Sequence, residues 1–320
     1  MNNVLVSIVC AAYNHEKYIS DAIDSFLMQK TNFKYEILIN DDASTDKTVE
    51  IIKKYEKNYP EKMKPIYQSE NQYSRGIRIS PTFLYPKAKG RYIAICEGDD
   101  YWIDPYKLQK QVDYMEGHSE CSVCVHASKK IDANTKKEIG EVRPSNHNRD
   151  FNIEEVILGG GGLFATNSIL FRKKLSVNIP HFYYNSPVGD YPLIIYLSLC
   201  GDVHYIDEYM SAYRVGASNS WTQRISKDIE KREKHVDESE RMLEEVDKYT
   251  NYKYSNIINK KIIKNKFDFL IFKRKYREAK IGIYTEHYKS LSIQDRLKIL
   301  LKQYFPVIHK VYKLTKRKCK

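Results

Sequence analysis

Apolar side chains follow two different spacings over the first hundred residues. Residues 4–10 and 35–40 are continuous apolar runs of strand length, whereas residues 15–30 repeat apolar positions at the spacing of one helix face. A strand, a helix and a second strand in this order predict a βαβ opening. The helix face consists of Tyr18, Ile19, Ala22, Ile23, Phe26 and Leu27.

Two more strands are predicted next. A helix over residues 45–58 precedes an apolar stretch at 63–67, and residues 91–96 form a short apolar strand. Residues 76–89 have a helical pattern that two prolines interrupt. Four strands with three crossovers predict an α/β fold with a mostly parallel, doubly wound sheet flanked by helices.

The alternation becomes less regular after residue 105. Residues 132–149 are polar and are predicted to form a loop, and the four glycines at 159–162 exclude a regular helix there. We place a domain boundary near residue 218, so that an α/β domain at 1–218 precedes a helical, basic region at 219–320. Further predicted elements are a helix at 107–116, a helix that opens at 188–190 and runs to 200, and strands at 121–127, 168–172 and 204–206.

The net charge of +12 is distributed unevenly along the chain. Residues 251–320 hold 20 Lys or Arg and 4 Asp or Glu, whereas residues 1–250 hold 33 and 37. The first 250 residues are slightly acidic, which argues against a protein that binds nucleic acid phosphates. The basic C-terminal segment indicates an anionic surface as its partner.

Neither a signal peptide nor a spanning helix is expected. No basic segment precedes the first apolar run, and no apolar run reaches about 18 residues. The six cysteines are scattered, which predicts reduced thiols in a cytoplasmic protein. Cys121 and Cys124 have the spacing of half a zinc site, but no second half exists and the strand pattern favours buried cysteines.

Polar clusters follow three of the predicted strands, at residues 11–14, 41–44 and 97–100. In doubly wound sheets, ligands bind beyond the carboxyl ends of the strands. We therefore expect these clusters, which lie far apart in the sequence, to meet at one rim of the sheet and to form the active site.

The cluster at residues 97–100 carries the carboxylates of Glu97, Asp99 and Asp100 directly after an apolar strand. Carboxylate oxygens bind hard cations such as Mg²⁺ or Mn²⁺, which also bind phosphate oxygens. The segment therefore predicts a metal held against a diphosphate. Capping of the next helix is the alternative, although Asp104 is better placed for that.

The other two clusters have binding and purely structural interpretations. One carboxylate of Asp41 and Asp42 can accept hydrogen bonds from a base or a ribose, and the other can cap the next helix. The ring of Tyr13 can stack on a base, and the amide of Asn14 can fix the loop. Helix capping and an ordinary turn are the alternatives.

Asp190 lies at the start of an apolar helix and also has two interpretations. As an N-cap or first-turn residue it would stabilise that helix, and capping alone accounts for an aspartate here. Group transfer to a hydroxyl, however, requires a carboxylate opposite the metal site that takes the hydroxyl proton. Asp190 is therefore a candidate general base. The histidines, including His126 and His204, show no pairing that indicates catalysis.

These segments resemble the signature motifs of family-2 glycosyltransferases, the inverting enzymes of the GT-A fold. The resemblance spans residues 4–216 and implies a GT-A-type, Rossmann-like sheet that binds a nucleotide diphosphate sugar. It is carried by residues 6–14, 36–46 and 97–102, together with Asp104, Pro105, Lys107 and Leu108.

The resemblance implies a nucleotide-sugar site around Ala11, Tyr13, Asn14 and Asp42. Ala11, Tyr13 and Asp42 would surround the nucleoside. A UDP-sugar is the donor expected first, and the cofactor implied is Mg²⁺ or Mn²⁺.

Residues later in the chain receive roles in the same way. Glu97 stands where a donor-binding Asp is more usual, Asp99 would lie near the ribose and the metal, and Asp100 would be the main metal ligand. Asp190 occupies the position of the general base. Arg214 belongs to a motif that usually continues to a histidine, where this chain has glycine, so Arg214 can supply charge to the donor instead.

The implied function is a metal-dependent, hexosyltransferase-like enzyme. It would transfer a sugar to a glycan or lipid-linked acceptor during synthesis of a cell-surface polysaccharide, such as a capsule, or of a glycolipid. A nucleotidyltransferase on a similar sheet, or a membrane- or nucleic-acid-binding protein driven by the basic tail, are the alternatives.

The C-terminal tail lies outside the resemblance. Its apolar side chains form a stripe that is interrupted near Pro306 and flanked by lysines. An amphipathic basic helix of this kind can lie on anionic lipid, which suggests peripheral attachment to the inner face of the plasma membrane. An ordinary packing helix with a basic end is the alternative. The stripe comprises Leu297, Leu300, Leu301, Tyr304, Ile308, Val311 and Tyr312.

Overall fold

The computed structural model describes residues 4–217 and 228–305. The chain divides into two units, Met1–Arg224 and Ile225–Lys320, by the contacts within each. The predicted boundary at residue 218 falls on the first undescribed residue between the two described ranges, and it stays a prediction.

The apolar runs of the first hundred residues form a parallel layer. Strand β1 (Val4–Ala12) lies between β2 (Lys34–Asp41) and β4 (Tyr92–Ile95) and pairs in parallel with both. Helices α1 (Ile19–Leu27) and α2 (Thr48–Asn58) follow β1 and β2. The apolar face of α1 packs into the same core as the strands, because burying that face stabilises both elements.

The rest of the sheet is mixed. Strand β9 (Leu170–Arg172) runs antiparallel between β4 and β6 (Cys121–Asp132), and β3 (Ile66–Tyr67) extends the parallel layer beside β2. Strand β10 (Asp202–Val215) pairs in parallel with β6 and antiparallel with β5 (Tyr101–Trp102).

The strand order is β3-β2-β1-β4-β9-β6-β10-β5, and the two longest pairings are parallel. The prediction of an α/β fold with a mostly parallel sheet flanked by helices is thereby confirmed. The remaining elements of this unit are α3 (Lys107–Gly117), β7 (Glu138–Val142), β8 (Arg149–Phe151), α4 (Ile153–Gly159), α5 (His181–Tyr184) and α6 (Asp190–Cys200).

The predicted loop at residues 132–149 is wrong, because this segment contains β7 and the start of β8. Strand β7 pairs antiparallel with the end of β6, and β8 pairs with the start of β10. In β7 only Val142 is buried, so the strand needs no apolar alternation. Polar side chains on such an edge strand therefore concealed it in the sequence.

Helix α4 is not predicted from the sequence either. The Asn152 side chain accepts the N–H of Glu155, and the Glu155 side chain accepts the N–H of Asn152, which forms a capping box. The helix ends at Gly159. The next three glycines, Gly160–Gly162, form a 3₁₀ turn, in agreement with the prediction that the glycine run excludes a regular helix.

A buried polar network aligns the amino-terminal ends of three neighbouring strands. Ser7 Oγ donates to Glu36 Oε1 over 2.6 Å, and the backbone N–H of Gly90 donates to Ser7 Oγ over 2.8 Å. The N–H of Lys89 also donates to Glu36 Oε1, over 2.6 Å. A buried carboxylate is costly unless hydrogen bonds satisfy it, so this network favours one register of β1, β2 and β4. Their opposite ends are thereby aligned at the rim.

The second unit is helical, as predicted. Phe267, Ala279 and Ile299 form the centre of a small apolar core. Among residues 4–217 and 228–305, no helix is long and apolar enough to cross a membrane. The helices of the second unit are α7 (Ile229–Tyr249), α8 (Ser255–Phe272), α9 (Thr285–Ser290) and α10 (Ile293–Tyr304).

The predicted C-terminal stripe is described only in part. Helix α10 ends at Tyr304, which agrees with the interruption expected near Pro306. The stripe members Ile308, Val311 and Tyr312 lie outside the described residues.

The substitution Gly90→Ala tests the strand alignment. A Cβ at this position would lie 2.5 Å from the Ser7 nitrogen and 2.6 Å from the Val6 carbonyl carbon, so the strands would have to shift. We expect a loss of about 1–3 kcal/mol in the free energy of unfolding, measured by urea denaturation. Gly117→Ala is the control, because a Cβ there meets nothing within 4 Å. Equal effects of the two substitutions would contradict the alignment role.

Candidate active site

Hydrogen bonds join the loops after β1 and β2 at the rim of the sheet. The N–H of Asn14 donates to Ser44 Oγ over 2.9 Å, and the N–H of Thr45 donates to Asn14 Oδ1 over 2.8 Å. The Asp41 carboxylate accepts the N–H of Ser44 over 3.0 Å. Asn14 has a positive φ of 55°, which asparagine tolerates better than most residues. Asn14 therefore fixes the two loops, and its contact with a donor stays a prediction.

The loop after β4 meets the same rim. The N–H of Gly98 donates to the carbonyl of Ala11 over 3.0 Å. A Cβ on Gly98 would lie 2.8 Å from His15 Nδ1 and 3.0 Å from Ile19 Cδ1, so glycine allows this loop to pack against the start of α1. Ala11 is half-buried and the Tyr13 ring is 37% exposed, so a ligand can reach both. The three polar clusters thus lie together.

Asp42 is buried behind this rim. Its two carboxylate oxygens accept the backbone N–H groups of Gln72, over 2.8 Å, and of Tyr73, over 3.0 Å. These bonds anchor the loop after β3 to the end of β2. The predicted nucleoside contact of Asp42 stays a prediction, and it would have to form beside these two bonds.

The carboxylates of the acidic cluster occupy different environments. Asp100 is 1% exposed, and its oxygens accept Asn167 Nδ2 over 3.0 Å and the N–H of Arg214 over 2.7 Å. Burial, followed by the charge of Asp99, raises the pKa of Asp100. Asp99 is half-buried and Glu97 is exposed. Both oxygens of Asp100 are thus engaged inside the protein, whereas Asp99 is partly accessible, and the predicted role of Asp100 as the main metal ligand stays a prediction.

Glu97 is exposed but lies within electrostatic reach of other carboxylates. Solvent reaches its side chain, yet desolvation by the surrounding protein, followed by the charges of Asp99 and Asp190, raises the pKa of Glu97 to about 8. Like charges close to one another disfavour ionisation. The acidic loop and Asp190 therefore lie within electrostatic reach of each other, although about 90 residues separate them in the sequence.

Asp190 is the first residue of α6. Its oxygens accept Thr166 Oγ1 over 2.9 Å and the N–H of Tyr191 over 2.8 Å. The helix N-cap is Gly189, so Asp190 is a first-turn residue that supports the helix start, and its role as a general base stays a prediction. Burial raises the pKa of Asp190, whereas the bond from Thr166 opposes that rise.

One short turn contacts both acidic positions, and the sequence reasoning missed it. The 3₁₀ turn Thr166–Ser168 donates from Thr166 to Asp190 and from Asn167 to Asp100. Asn167 is fully buried, and its Oδ1 accepts Ser211 Oγ over 2.7 Å. The signal in the sequence is a polar Thr-Asn-Ser triplet directly before a buried strand. The turn holds the acidic loop and Asp190 in a fixed relation.

Arg214 supports the acidic loop from behind. Its side chain is 5% exposed, donates to the carbonyl of Asp99 over 2.7 Å and pairs with Asp21. The guanidinium also lies 4.5 Å from the centroid of the Tyr101 ring. A cation held in this way positions the loop. The predicted supply of charge to the donor by Arg214 stays a prediction.

Arg78 is a second cation near the site, and the sequence reasoning did not single it out. Its guanidinium donates to the carbonyl of Ser186 and lies 5.8 Å from the centroid of the Tyr183 ring. Its charge opposes the rise that burial causes in the pKa of Asp190, which places Arg78 within electrostatic reach of that carboxylate. The lone arginine lies in a segment interrupted by prolines, where no periodicity marked it.

The glycine run lies beside Asp190. A small recess there is lined by Gly160, Gly161, Asp190 and Tyr191, together with apolar side chains. Tyr191 Oη donates to the carbonyl of Ile157 over 2.6 Å, which ties α6 to α4. Because glycines lack side chains, a substrate can approach their backbone closely at this point.

The carboxylates of the acidic loop supply part of the ligand set of a divalent cation. Among the described residues, no three His, Cys, Asp or Glu side chains converge into a preformed metal site. Asp99, with Glu97 beside it, offers the oxygen ligands that Mg²⁺ and Mn²⁺ prefer. Such ions often bind through one or two carboxylates and complete their coordination with phosphate oxygens and water. The arrangement thus suits a cation that arrives with a diphosphate.

A mostly parallel sheet with an acidic loop at its carboxyl-terminal rim is a feature of the GT-A class of glycosyltransferase folds. Residues 7–177 match the family model described as Glycosyl transferase family 2, and the chain belongs to this family. The family and the fold expected from the sequence motifs are thereby confirmed.

Relatives support this membership. The uncharacterized protein Rv1520 of Mycobacterium tuberculosis is 36% identical over 220 residues, which cover 68% of this chain and 60% of that protein. The chain therefore spans less than two thirds of the length of this relative. The Escherichia coli UDP-Glc:alpha-D-GlcNAc-diphosphoundecaprenol beta-1,3-glucosyltransferase WfaP is 40% identical over 112 residues, covering 35% of this chain and 41% of WfaP.

Solved structures share the fold. S. aureus TarS 1-349 in complex with UDP-GlcNAc has a TM-score of 0.53 and 16% identity, covering 83% of this chain and 81% of that one. The mannosyltransferase PcManGT from Pyrobaculum calidifontis, in complex with GDP-Man and Mn²⁺, has a TM-score of 0.55 and 12% identity, covering 94% and 87%.

The substitution Asn167→Ala tests how the acidic loop is held. It removes the side-chain donor to the buried Asp100 carboxylate, and an unsatisfied buried charge costs about 1–3 kcal/mol or more. We expect that loss in the free energy of unfolding, measured by urea denaturation. Asn134→Ala, in an exposed loop, should be nearly neutral. A neutral Asn167→Ala would contradict the proposed support of Asp100.

The raised pKa of Glu97 predicts a pH-dependent effect of Glu97→Gln. Folding favours the protonated form of the Glu97 carboxyl. The contribution of this form to the free energy of unfolding is therefore complete below pH 4.5 and is lost as the pH rises to about 8. Glutamine does not titrate. The melting temperature of Glu97→Gln relative to the natural protein should therefore increase between pH 5 and pH 9, as measured by differential scanning fluorimetry. A difference in melting temperature that does not change with pH would contradict the raised pKa of Glu97.

Proposed function

We propose that this chain is an inverting glycosyltransferase that moves a sugar from a nucleotide diphosphate sugar to an acceptor hydroxyl. The observation that carries this proposal is the position of Asp190, which Thr166 orients and which lies within electrostatic reach of Glu97. An inverting transfer needs a donor site and one base on opposite sides of the anomeric carbon. We propose that the acidic loop lies on the donor side of that carbon and Asp190 on the acceptor side.

The donor would bind at the rim formed by the loops after β1, β2 and β4. Tyr13 has an exposed ring that can stack on the base, and Ala11 leaves space beside it. Asp99 would hold Mg²⁺ or Mn²⁺ against the diphosphate. When bound, that ion offsets the negative charge that develops on the leaving nucleoside diphosphate. TarS with UDP-GlcNAc and PcManGT with GDP-Man support a nucleotide sugar as donor, and we expect a UDP-sugar first.

Asp190 would act on the acceptor side. The acceptor oxygen attacks the anomeric carbon as the bond to the nucleoside diphosphate breaks, and Asp190 takes the hydroxyl proton. Burial raises the pKa of Asp190, which makes the carboxylate a stronger base than an exposed one. The bonds from Thr166 and from the N–H of Tyr191 fix the orientation of Asp190. The charge of Arg78 limits the rise in the pKa of Asp190.

The acceptor is proposed to be a glycan or a lipid-linked sugar in cell-surface polysaccharide or glycolipid synthesis. Two relatives support this class by name. WfaP is a glucosyltransferase that acts on a diphosphoundecaprenol-linked sugar, and the Bacillus subtilis relative TuaG is a putative teichuronic acid biosynthesis glycosyltransferase. We propose that the acceptor approaches Asp190 from the side of the glycine run.

The substitution Asp190→Asn tests the base directly. Asparagine keeps the shape of the side chain but cannot take a proton, so we expect kcat to fall by about 10²–10⁴-fold. Donor affinity should stay unchanged, measured by calorimetry with the UDP-sugar that is turned over in a panel of nucleotide sugars. Asp202→Asn, at an exposed position, is the matched control.

The products of the same reaction test the transfer itself. Release of nucleoside diphosphate with an inverted anomeric configuration, seen by NMR, is expected. Release of pyrophosphate would show a nucleotidyltransferase, and full turnover by Asp190→Asn would exclude Asp190 as the base.

A further inference from the structure

Helix α10 presents a row of apolar side chains to solvent. Ile293 is 70% exposed, Leu297 is 52% exposed and Tyr304 is 61% exposed, with Leu301 at 37% between them. Their spacing of three or four residues places them on one side of the helix. We call these four residues the α10 face. Exposed apolar rows of this kind mark interaction surfaces more often than isolated exposed residues do.

The opposite side of α10 is already used for packing. Ile299 is buried and belongs to the core formed with Phe267 and Ala279. In addition, Ser292 caps the helix by accepting the N–H of Asp295 over 3.1 Å. The helix is therefore held by its own unit, and the orientation that exposes the α10 face is fixed by this packing.

Neighbouring residues enlarge the apolar surface. Ile281 and Ile283 are each 65% exposed, in the turns that precede α9. Lys280 Nζ donates to Gln303 Oε1 over 2.6 Å, and it lies 5.8 Å from the centroid of the Tyr304 ring. These contacts place the side chain of Lys280, which precedes Ile281 in the chain, beside the C-terminal end of α10.

The charges around this surface are mainly basic, and one of the basic side chains, Lys298, pairs through Nζ with Asp295 Oδ1 at 2.8 Å. On a helix of 3.6 residues per turn, Arg296 and Lys298 lie on opposite edges of the α10 face. Residues 251–320 hold 20 basic and 4 acidic residues. Apolar side chains edged by basic ones suit a bilayer surface that contains anionic lipid. Two copies of the face would instead bring their basic edges together, which disfavours self-association.

We propose that the α10 face docks on a bilayer that contains anionic phospholipid. Leu297 and its neighbours would enter the boundary between headgroups and acyl chains, and Arg296 and Lys298 would contact lipid phosphates. The proposal rests on this surface alone and does not depend on the sugar chemistry.

Co-sedimentation of the full chain with vesicles tests the proposal. Vesicles of phosphatidylglycerol and phosphatidylcholine should bind the protein, and vesicles of phosphatidylcholine alone should bind it much less. The double variant Leu297→Ser with Leu301→Ser should bind the anionic vesicles about tenfold or more weakly, because two apolar side chains are lost from the membrane contact. Arg296→Gln with Lys298→Gln should weaken binding and reduce its dependence on salt.

Val177→Ser is the control, since Val177 is 74% exposed in the other unit. It should leave vesicle binding unchanged, and circular dichroism should confirm that every variant is folded. Unchanged binding by the leucine variant would overturn the proposal. So would a dimer, seen by sedimentation velocity, that the leucine variant dissociates. Sugar transfer to a soluble acceptor is measured in parallel, because loss of that activity bears on the proposed function and not on docking.

Discussion

The burial of one carboxylate constrains the whole rim of the first unit. Removing Asp100 from water is costly unless its oxygens find donors, and they find two: the amide of Asn167 and the backbone N–H of Arg214. Ser211 Oγ in turn donates to Asn167 Oδ1, and the backbone carbonyl of Asn167 accepts Trp102 Nε1 over 2.9 Å. Satisfying this charge therefore joins the acidic loop, the turn before β9 and strand β10 in one arrangement.

A division among the acidic residues follows from this arrangement. With Asp100 engaged inside the protein, Asp99 and Glu97 remain accessible for a ligand. Their mutual repulsion, added to desolvation, is visible in the raised pKa of Glu97, and a bound cation would relieve it. Asp190 lies within electrostatic reach of Glu97. The turn that supports Asp100 also orients Asp190 through Thr166. One turn thus supports both the acidic loop and Asp190.

Local pattern revealed much of this in advance. Continuous apolar runs identified β1, β2 and β4, and helical spacing identified α1, because burial on a parallel sheet leaves a strong periodic signal. The polar clusters at the strand ends were found for the same reason. Strand β7 was missed because an exposed edge strand leaves no such signal, and α4 was missed although its capping box was present in the sequence.

The sequence by itself determined the parallel sheet, the rim where the polar clusters meet, and the motifs of the family. Only the tertiary structure decided which carboxylate is buried and which is free, since Asp99 and Asp100 are adjacent and chemically identical. Their difference comes from donors that lie more than 60 residues away in the sequence, on Asn167 and Arg214. Hydrogen bonds between such distant residues depend on how strands are ordered in the sheet, and local sequence pattern carries no record of that order.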